Sequence, residues 1–253
     1  MFESLVDEIA LEIEEFDEGN RRSESVRERF RYAVRTILLD CWKASSSIPV
    51  GMCQIRLRSN DYSNTNRYVD QNLAYRQVKK AFEGLLNLGL IFIERKGYYD
   101  RQAFSGGLTQ YVPTKKLLER LTALEGHPSL SVETDLSTFE MVRLRDRVSG
   151  RRMIIDYEDD EITTQYRDNL IVINSEYAKH WFDLRIPDKQ VQELANHLSL
   201  DADKQPIDLS KRYLYRVFTR GSFKKGGRFY GGWWQNVPKK YRPFITIDED
   251  FTT

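Results

Sequence analysis

Residues 226–238 read Gly-Gly-Arg-Phe-Tyr-Gly-Gly-Trp-Trp-Gln-Asn-Val-Pro, and Arg242 follows shortly after. Arginine offers a planar fork for a phosphate or a base edge, glycine lets main chain approach a ligand closely, and tyrosine or tryptophan faces stack on bases. Arg228, Tyr230, Trp233, Trp234, Gln235 and Arg242 are therefore candidate nucleic-acid contacts. The competing reading is a Gly-rich hairpin whose two tryptophans pack into a core, and composition does not separate the two.

Other chemistry-bearing residues are sparser. The acids of 156–161 could hold a divalent ion, but they lack the Gly-centred alternation of a calcium loop, and such a run more often makes a solvated loop or helix start. Combined with Asp168 they define an alternative function, a metal-dependent nuclease. No Ser-His-Asp order, nucleophile elbow or phosphate loop is present, so no catalytic residue, metal or cofactor is expected. Cys41 and Cys53 have neither CxxC nor Cys/His ligand spacing, which disfavours zinc and disulfides and points to a reducing cytoplasm. His180 and His197 are expected as partly buried packing beside Trp181 and Leu198. No apolar run approaches the ~20 residues of a membrane helix, so no membrane partner is expected.

The net charge of +1 conceals segregation. Residues 1–20 carry eight acids and no bases, residues 21–120 carry 19 bases against 9 acids, residues 121–210 carry 10 against 18, and residues 211–253 carry 10 against 3. Two basic blocks separated by an acidic one suggest two polyanion-facing regions.

The first basic block has an internal order. Val26, Phe30, Ala33, Val34, Ile37, Leu38 and Cys41 recur at helical spacing, which predicts a helix over 24–43. Val78, Ala81, Phe82, Leu85 and Leu86 predict a second helix, ended by Gly89 in the left-handed position. Leu90–Ile93 and Leu108–Val112 read as antiparallel strands with turn chemistry at Lys96-Gly97 and Ser105–Gly107, and Pro113-Thr114 opens a short helix over 115–121. This order resembles the winged helix-turn-helix modules of plasmid initiators and bacterial regulators. In such a module the second helix enters the major groove, so Tyr75, Arg76, Lys79 and Lys80 would reach the bases, and Arg95, Lys96 and Arg101 on or beside the wing would reach phosphates.

Beyond a linker at 126–129, residues 141–145 suggest a strand and Gly150 a turn. A helix is expected over 161–183, with Ile162, Tyr166, Leu170, Ile173 and Tyr177 inward and Arg167, Asp168 and Asn174 outward, and another from Pro187 through Leu198.

Gly227-Arg228, Gln235-Asn236-Val237-Pro238, Arg242 and Phe244-Ile245 together resemble a stretch of the family-A DNA polymerases. There it precedes the palm strand that bears the first catalytic aspartate, and its arginine and glutamine contact the primer-template duplex. The resemblance implies duplex contacts for Arg228 and Gln235, and a polymerase-like domain with the catalytic carboxylates beyond Thr253. The run at 213–218, the Gly/Trp-rich core and the closing Ile-Thr-Ile-Asp are also similar to phage and mobile-element proteins.

The expected fold is α+β, with an acidic segment over 1–23, a winged-helix DNA-binding domain over 24–125, a mainly helical region over 126–210 and a basic aromatic hairpin over 211–253. The expected function is DNA binding, to duplex or primer-template, as the non-catalytic front portion of a phage-type replication protein. A winged-helix transcriptional or plasmid-copy regulator is the alternative.

Overall fold

The computed structural model describes residues 2–16, 23–62, 67–100, 105–124, 136–200 and 205–251. Helices and strands are mixed, and the chain divides into two compact units, one of residues 1–46 and 50–132, the other of 47–49 and 133–253. No helix among the described residues is long and apolar enough to cross a membrane.

The first unit runs α1 (Phe2–Phe16), α2 (Glu24–Ser45), β1 (Cys53–Ile55), α3 (Tyr75–Asn87), β2 (Ile91–Arg95), β3 (Tyr98–Asp100), β4 (Ser105–Gly107), β5 (Thr109–Pro113) and α4 (Lys115–Thr122). β1, β5 and β2 form an antiparallel sheet in that order, and β3 pairs with β4 as a separate ribbon. The expected turn at Ser105–Gly107 is thus a short strand.

Periodicity explains the helices. α2 buries Phe30, Ala33, Val34, Ile37, Leu38 and Cys41, and α3 buries Val78, Ala81, Phe82 and Leu85, the stripes read from the sequence. α3 ends where expected, with Gly89 at φ +64. Thr114 caps α4 by accepting from the Leu117 N–H at 3.4 Å. Cys41 and Cys53 are both buried free thiols, and the Cys41 thiol is held well above its ordinary pKa by its hydrogen bond to Cys53 and by burial.

The acidic opening segment is more structured than its charge suggests. Residues 2–16 form α1, which buries Leu5, Val6, Ile9, Ala10 and Ile13 in the core of the first unit. Gly84 admits it, since a Cβ there would lie 2.3 Å from Ile13 Cγ2. The acids of α1 meet cations of the first basic block. Arg31 pairs with Asp7, Arg35 Nε donates to Glu3 at 2.7 Å, and Arg120 Nη2 reaches Glu12 at 2.8 Å and Glu8 at 2.9 Å. Part of the block's positive charge is therefore neutralised within the fold.

The second unit runs β6 (Val142–Val148), β7 (Arg151–Ile155), α5 (Glu161–Ala178), β8 (Phe182–Leu184), α6 (Asp188–Ser199), β9 (Tyr215–Thr219), β10 (Ser222–Tyr230), β11 (Ile245–Ile247) and β12 (Asp250–Phe251). A four-stranded sheet has the order β10-β9-β6-β7, with β6 and β9 parallel and the other pairs antiparallel. Its inner face carries Val142, Leu144 and Phe218 against Leu170 of α5. A three-stranded sheet of order β12-β11-β8 packs with Leu194, Leu198, Trp233, Val237 and Tyr241.

Three expectations are corrected here. The stretch 126–210 is not mainly helical, because its described part contains β6, β7 and β8 beside two helices, and β6 shares a sheet with β9 of the expected C-terminal hairpin region. α5 stops at Ala178 instead of 183, because Phe182 and Leu184 alternate inward as a strand against β11. Asn174 faces inward, buried to 2 %, whereas Ile162 is exposed.

Candidate functional site

α3 is the most regular presentation of cations in the first unit. With Val78, Ala81, Phe82 and Leu85 turned inward, positions 76, 79 and 80 share the opposite side, three and four residues apart, and all three are exposed. Arg76 makes no hydrogen bond or ion pair with a described residue. Lys79 has only a 3.7 Å pair with Glu83, an exposed contact worth roughly 0–1 kcal/mol that a phosphate can displace. The first turn holds no acid and Ala74 provides no side-chain cap, so the positive end of the helix dipole is left open beside Arg76. Tyr75 is half-buried against Tyr62, with ring centroids 6.1 Å apart. The Tyr62 hydroxyl donates to the Arg56 carbonyl at 2.7 Å, and burial followed by Asp61 pushes its pKa up to about 12.

Arg95 ends β2, Lys96 follows it, and both are exposed. There the ribbon needs glycine, because a Cβ on Gly97 would lie 2.8 Å from the Thr109 nitrogen. A cleft of about 470 Å³ lies between Arg56 and Arg58 after β1 and Tyr98, Gly106 and Gly107 of the ribbon. Arg101 lies outside the described residues.

In the second unit the predicted residues do not form one patch. Arg228 is exposed and unpaired among described residues, opposite Val217, and Tyr230 is exposed with its ring stacked on Tyr215 at 6.0 Å. Trp233, by contrast, is 0 % exposed in the core. Trp234 stacks on Phe182 at 4.9 Å and meets Tyr177 edge-on at 5.4 Å. Neither tryptophan offers a free face for a base, and the core-packing reading of the pair is the correct one. Gln235 is exposed, with Nε2 donating to the Phe229 carbonyl at 3.2 Å, and Arg242 is exposed with Nε donating to the Val237 carbonyl at 3.0 Å.

The glycines have roles in the fold. Gly226 and Gly227 have φ of +87 and +75 and form the irregularities that shift the β10 register before Arg228. A Cβ on Gly227 would lie 2.7 Å from Arg216 Nη2 and 2.9 Å from Phe218 Cε1.

Among the acids at 156–161, Asp159 and Asp160 take structural partners. Asp160 closes a capping box with Thr163, whose backbone and side-chain hydrogen bonds hold its carboxyl below the usual range. Asp159 accepts from Arg167 Nη2 at 2.8 Å, and Glu140 accepts from it at 3.2 Å. Burial opposes the Arg167 charge, yet these two bonds outweigh it and raise its pKa. Among the described residues no group of three or more His, Cys, Asp or Glu is arranged to hold a metal ion. His180 is not aromatic packing, because Nδ1 lies 2.5 Å from Asp248 Oδ2, and His197 is exposed.

No protein-family model, curated protein or solved structure matches this chain. The sequence reading missed Arg145, Arg147 and Arg152, which stand with Arg228 on one face of the four-stranded sheet. Arginines at 143, 145 and 147 alternate with the period of a strand, and that signal could have found them.

Proposed function

We propose that this protein binds DNA and that its first unit grips duplex as a winged helix-turn-helix. The carrying observation is the exposed trio Arg76, Lys79 and Lys80 on the side of α3 opposite its buried stripe. The order of elements supports the reading. α2, β1, α3, β2, a ribbon and β5, with the sheet in the order β1-β5-β2, is the sequence of parts in which the helix before the wing enters the major groove. Arg95 and Lys96, exposed where β2 leads into the ribbon, would then meet phosphates.

Membership in a phage-type replication protein, as its front portion, rests on the resemblance of 227–245 to the polymerase stretch. Exposed Arg228 and Gln235 are compatible with it, and buried Trp233 contributes nothing to it.

A salt titration with a fluorescein-labelled duplex tests the duplex reading. Each phosphate contact contributes about 0.9 to the slope of log K against log salt, so Lys79→Ala with Lys80→Ala should weaken binding and flatten the slope by about 1.8. Affinity and slope equal to wild type, in a variant that melts normally, would refute the role of α3.

A further inference from the structure

We propose that the outer face of the four-stranded sheet in the second unit is a separate site for single-stranded nucleic acid, holding its phosphodiester backbone on arginines and a base on Tyr230. The proposal is independent of the winged-helix reading of α3, because it rests on different residues in the other unit.

Strand alternation builds the face. Leu144 pairs with Ile155 and with Phe218 on the side that packs against α5, so the flanking positions point away from it. On that outer side Arg145 lies opposite Ile154, Arg147 opposite Arg152, and Val217 lies between Arg143 and Arg228. These strands line a cleft of about 880 Å³. Arg145, Arg147, Arg152, Arg220, Lys225 and Arg228 contribute to its walls, with Asp146 as its one carboxylate. Asp146, whose Oδ1 accepts the Arg147 backbone N–H at 2.8 Å, offsets one of the six positive charges and leaves the cleft strongly cationic. None of the six cationic side chains has a hydrogen bond or ion pair among the described residues. In this fold other arginines are paired, as Arg167 and Arg120 are.

Two features cost stability, and an anion would relieve the first. Arg147 and Arg152 are direct cross-strand neighbours, an arrangement in which like charges repel. Arg220 occupies the left-handed region at φ +61, in a turn where asparagine or aspartate before glycine is favoured. The turn is tied to β6, since the Gly221 N–H donates to the Arg145 carbonyl at 3.1 Å and a Cβ on Gly221 would lie 2.8 Å from Asp146 Oδ2. It therefore holds Arg220 at the cleft.

Charge selects a polyanion, and the surface shape selects a single strand. A major groove admits a helix or a two-stranded ribbon, whereas a broad sheet face cannot enter it. Unpaired bases lie flat on exposed rings of a sheet. Tyr230, 38 % exposed and backed by Tyr215, lines the same cleft as the arginines.

Fluorescence anisotropy with a labelled oligothymidylate tests this in the full-length protein, with unlabelled duplex and inorganic tripolyphosphate as competitors. Arg145→Ala, Arg147→Ala and Arg152→Ala together should weaken oligothymidylate binding by more than about tenfold and flatten its salt slope by about 2, at roughly 0.7 per single-strand phosphate contact. Tyr230→Ala should weaken it by about fivefold or more with the slope unchanged, as loss of one stacked base requires. Lys79→Ala with Lys80→Ala should leave oligothymidylate binding intact, which separates this site from the duplex site. The single substitution Arg147→Gln, expected to act in the same direction, decides the matter if the triple variant does not fold. Wild-type affinity and slope in the arginine variants, or no oligothymidylate binding by the wild type, would overturn the proposal. So would displacement by duplex or tripolyphosphate as readily as by the strand itself.

Discussion

The side-chain amide of Asn174 clasps the backbone of Leu214, with Nδ2 donating to the Leu214 carbonyl at 2.9 Å and Oδ1 accepting the Leu214 N–H at 2.7 Å. Both residues are buried, so one side chain satisfies two main-chain groups just ahead of β9 and ties that strand's entry to α5. Asn174→Ala should strand both groups at about 1–3 kcal/mol each, less whatever water recovers. Urea unfolding monitored by tryptophan fluorescence measures this, and a loss below about 0.5 kcal/mol would mean that the clasp is not a structural tie.

Phe82 is 2 % exposed and meets Tyr111 edge-on at 5.2 Å, between α3 and β5. Phe82→Ala should destabilise the first unit by about 3–5 kcal/mol, whereas Arg76→Ala should stay within about 0.5 kcal/mol. Denaturant melts in the reverse order would invert the assignment of the faces of α3.

His180 should make stability depend on pH. Asp248 first, then Glu176, raises its pKa above the ordinary value. A raised folded-state pKa contributes stability that is fully present below the unfolded value of about 6.5 and is lost as pH rises through the folded value. Asp248 is lowered in turn, by His180 first and then by the Trp181 N–H. Its contribution is present above the unfolded value of about 3.9 and is lost as pH falls through the lowered one. The difference in Tm between wild type and His180→Phe should therefore be greatest between about pH 4 and 6.5 and should shrink in alkali and in high salt. An NMR titration placing His180 at or below about 6.5 would contradict the pairing.

The first unit was the more legible of the two. Its buried stripes are local and long, so Phe30 through Cys41 and Val78 through Leu85 announce their helices and inward faces, and Gly89 announces where α3 stops. Short apolar segments were harder. Phe182-Asp183-Leu184 continues a helical pattern as readily as it begins a strand, and pairing with Ile245–Ile247 decided in favour of the strand. The acids of α1 mask it in the sequence, although Leu5, Val6, Ile9 and Ile13 carry the spacing of a buried stripe. Among the candidate site residues, Arg76, Lys79 and Lys80 followed from the helical period, since the side opposite an apolar stripe must face solvent.

By itself the sequence determined where helices α2 and α3 run, which of their sides are apolar, and that cations are concentrated around 75–96 and 211–242, because each of these is a property of neighbouring residues. It could not decide between core and ligand for Trp233 and Trp234, since an indole suits either. Burial to 0 % for Trp233 and the stack of Trp234 on Phe182 settled that, through contacts with residues distant in the chain. Nor could it bring Arg145, Arg147 and Arg152 beside Arg228. Only the parallel pairing of β6 with β9 does so, because strand partners are chosen by the packing of both faces of the sheet and not by any signal local to either strand.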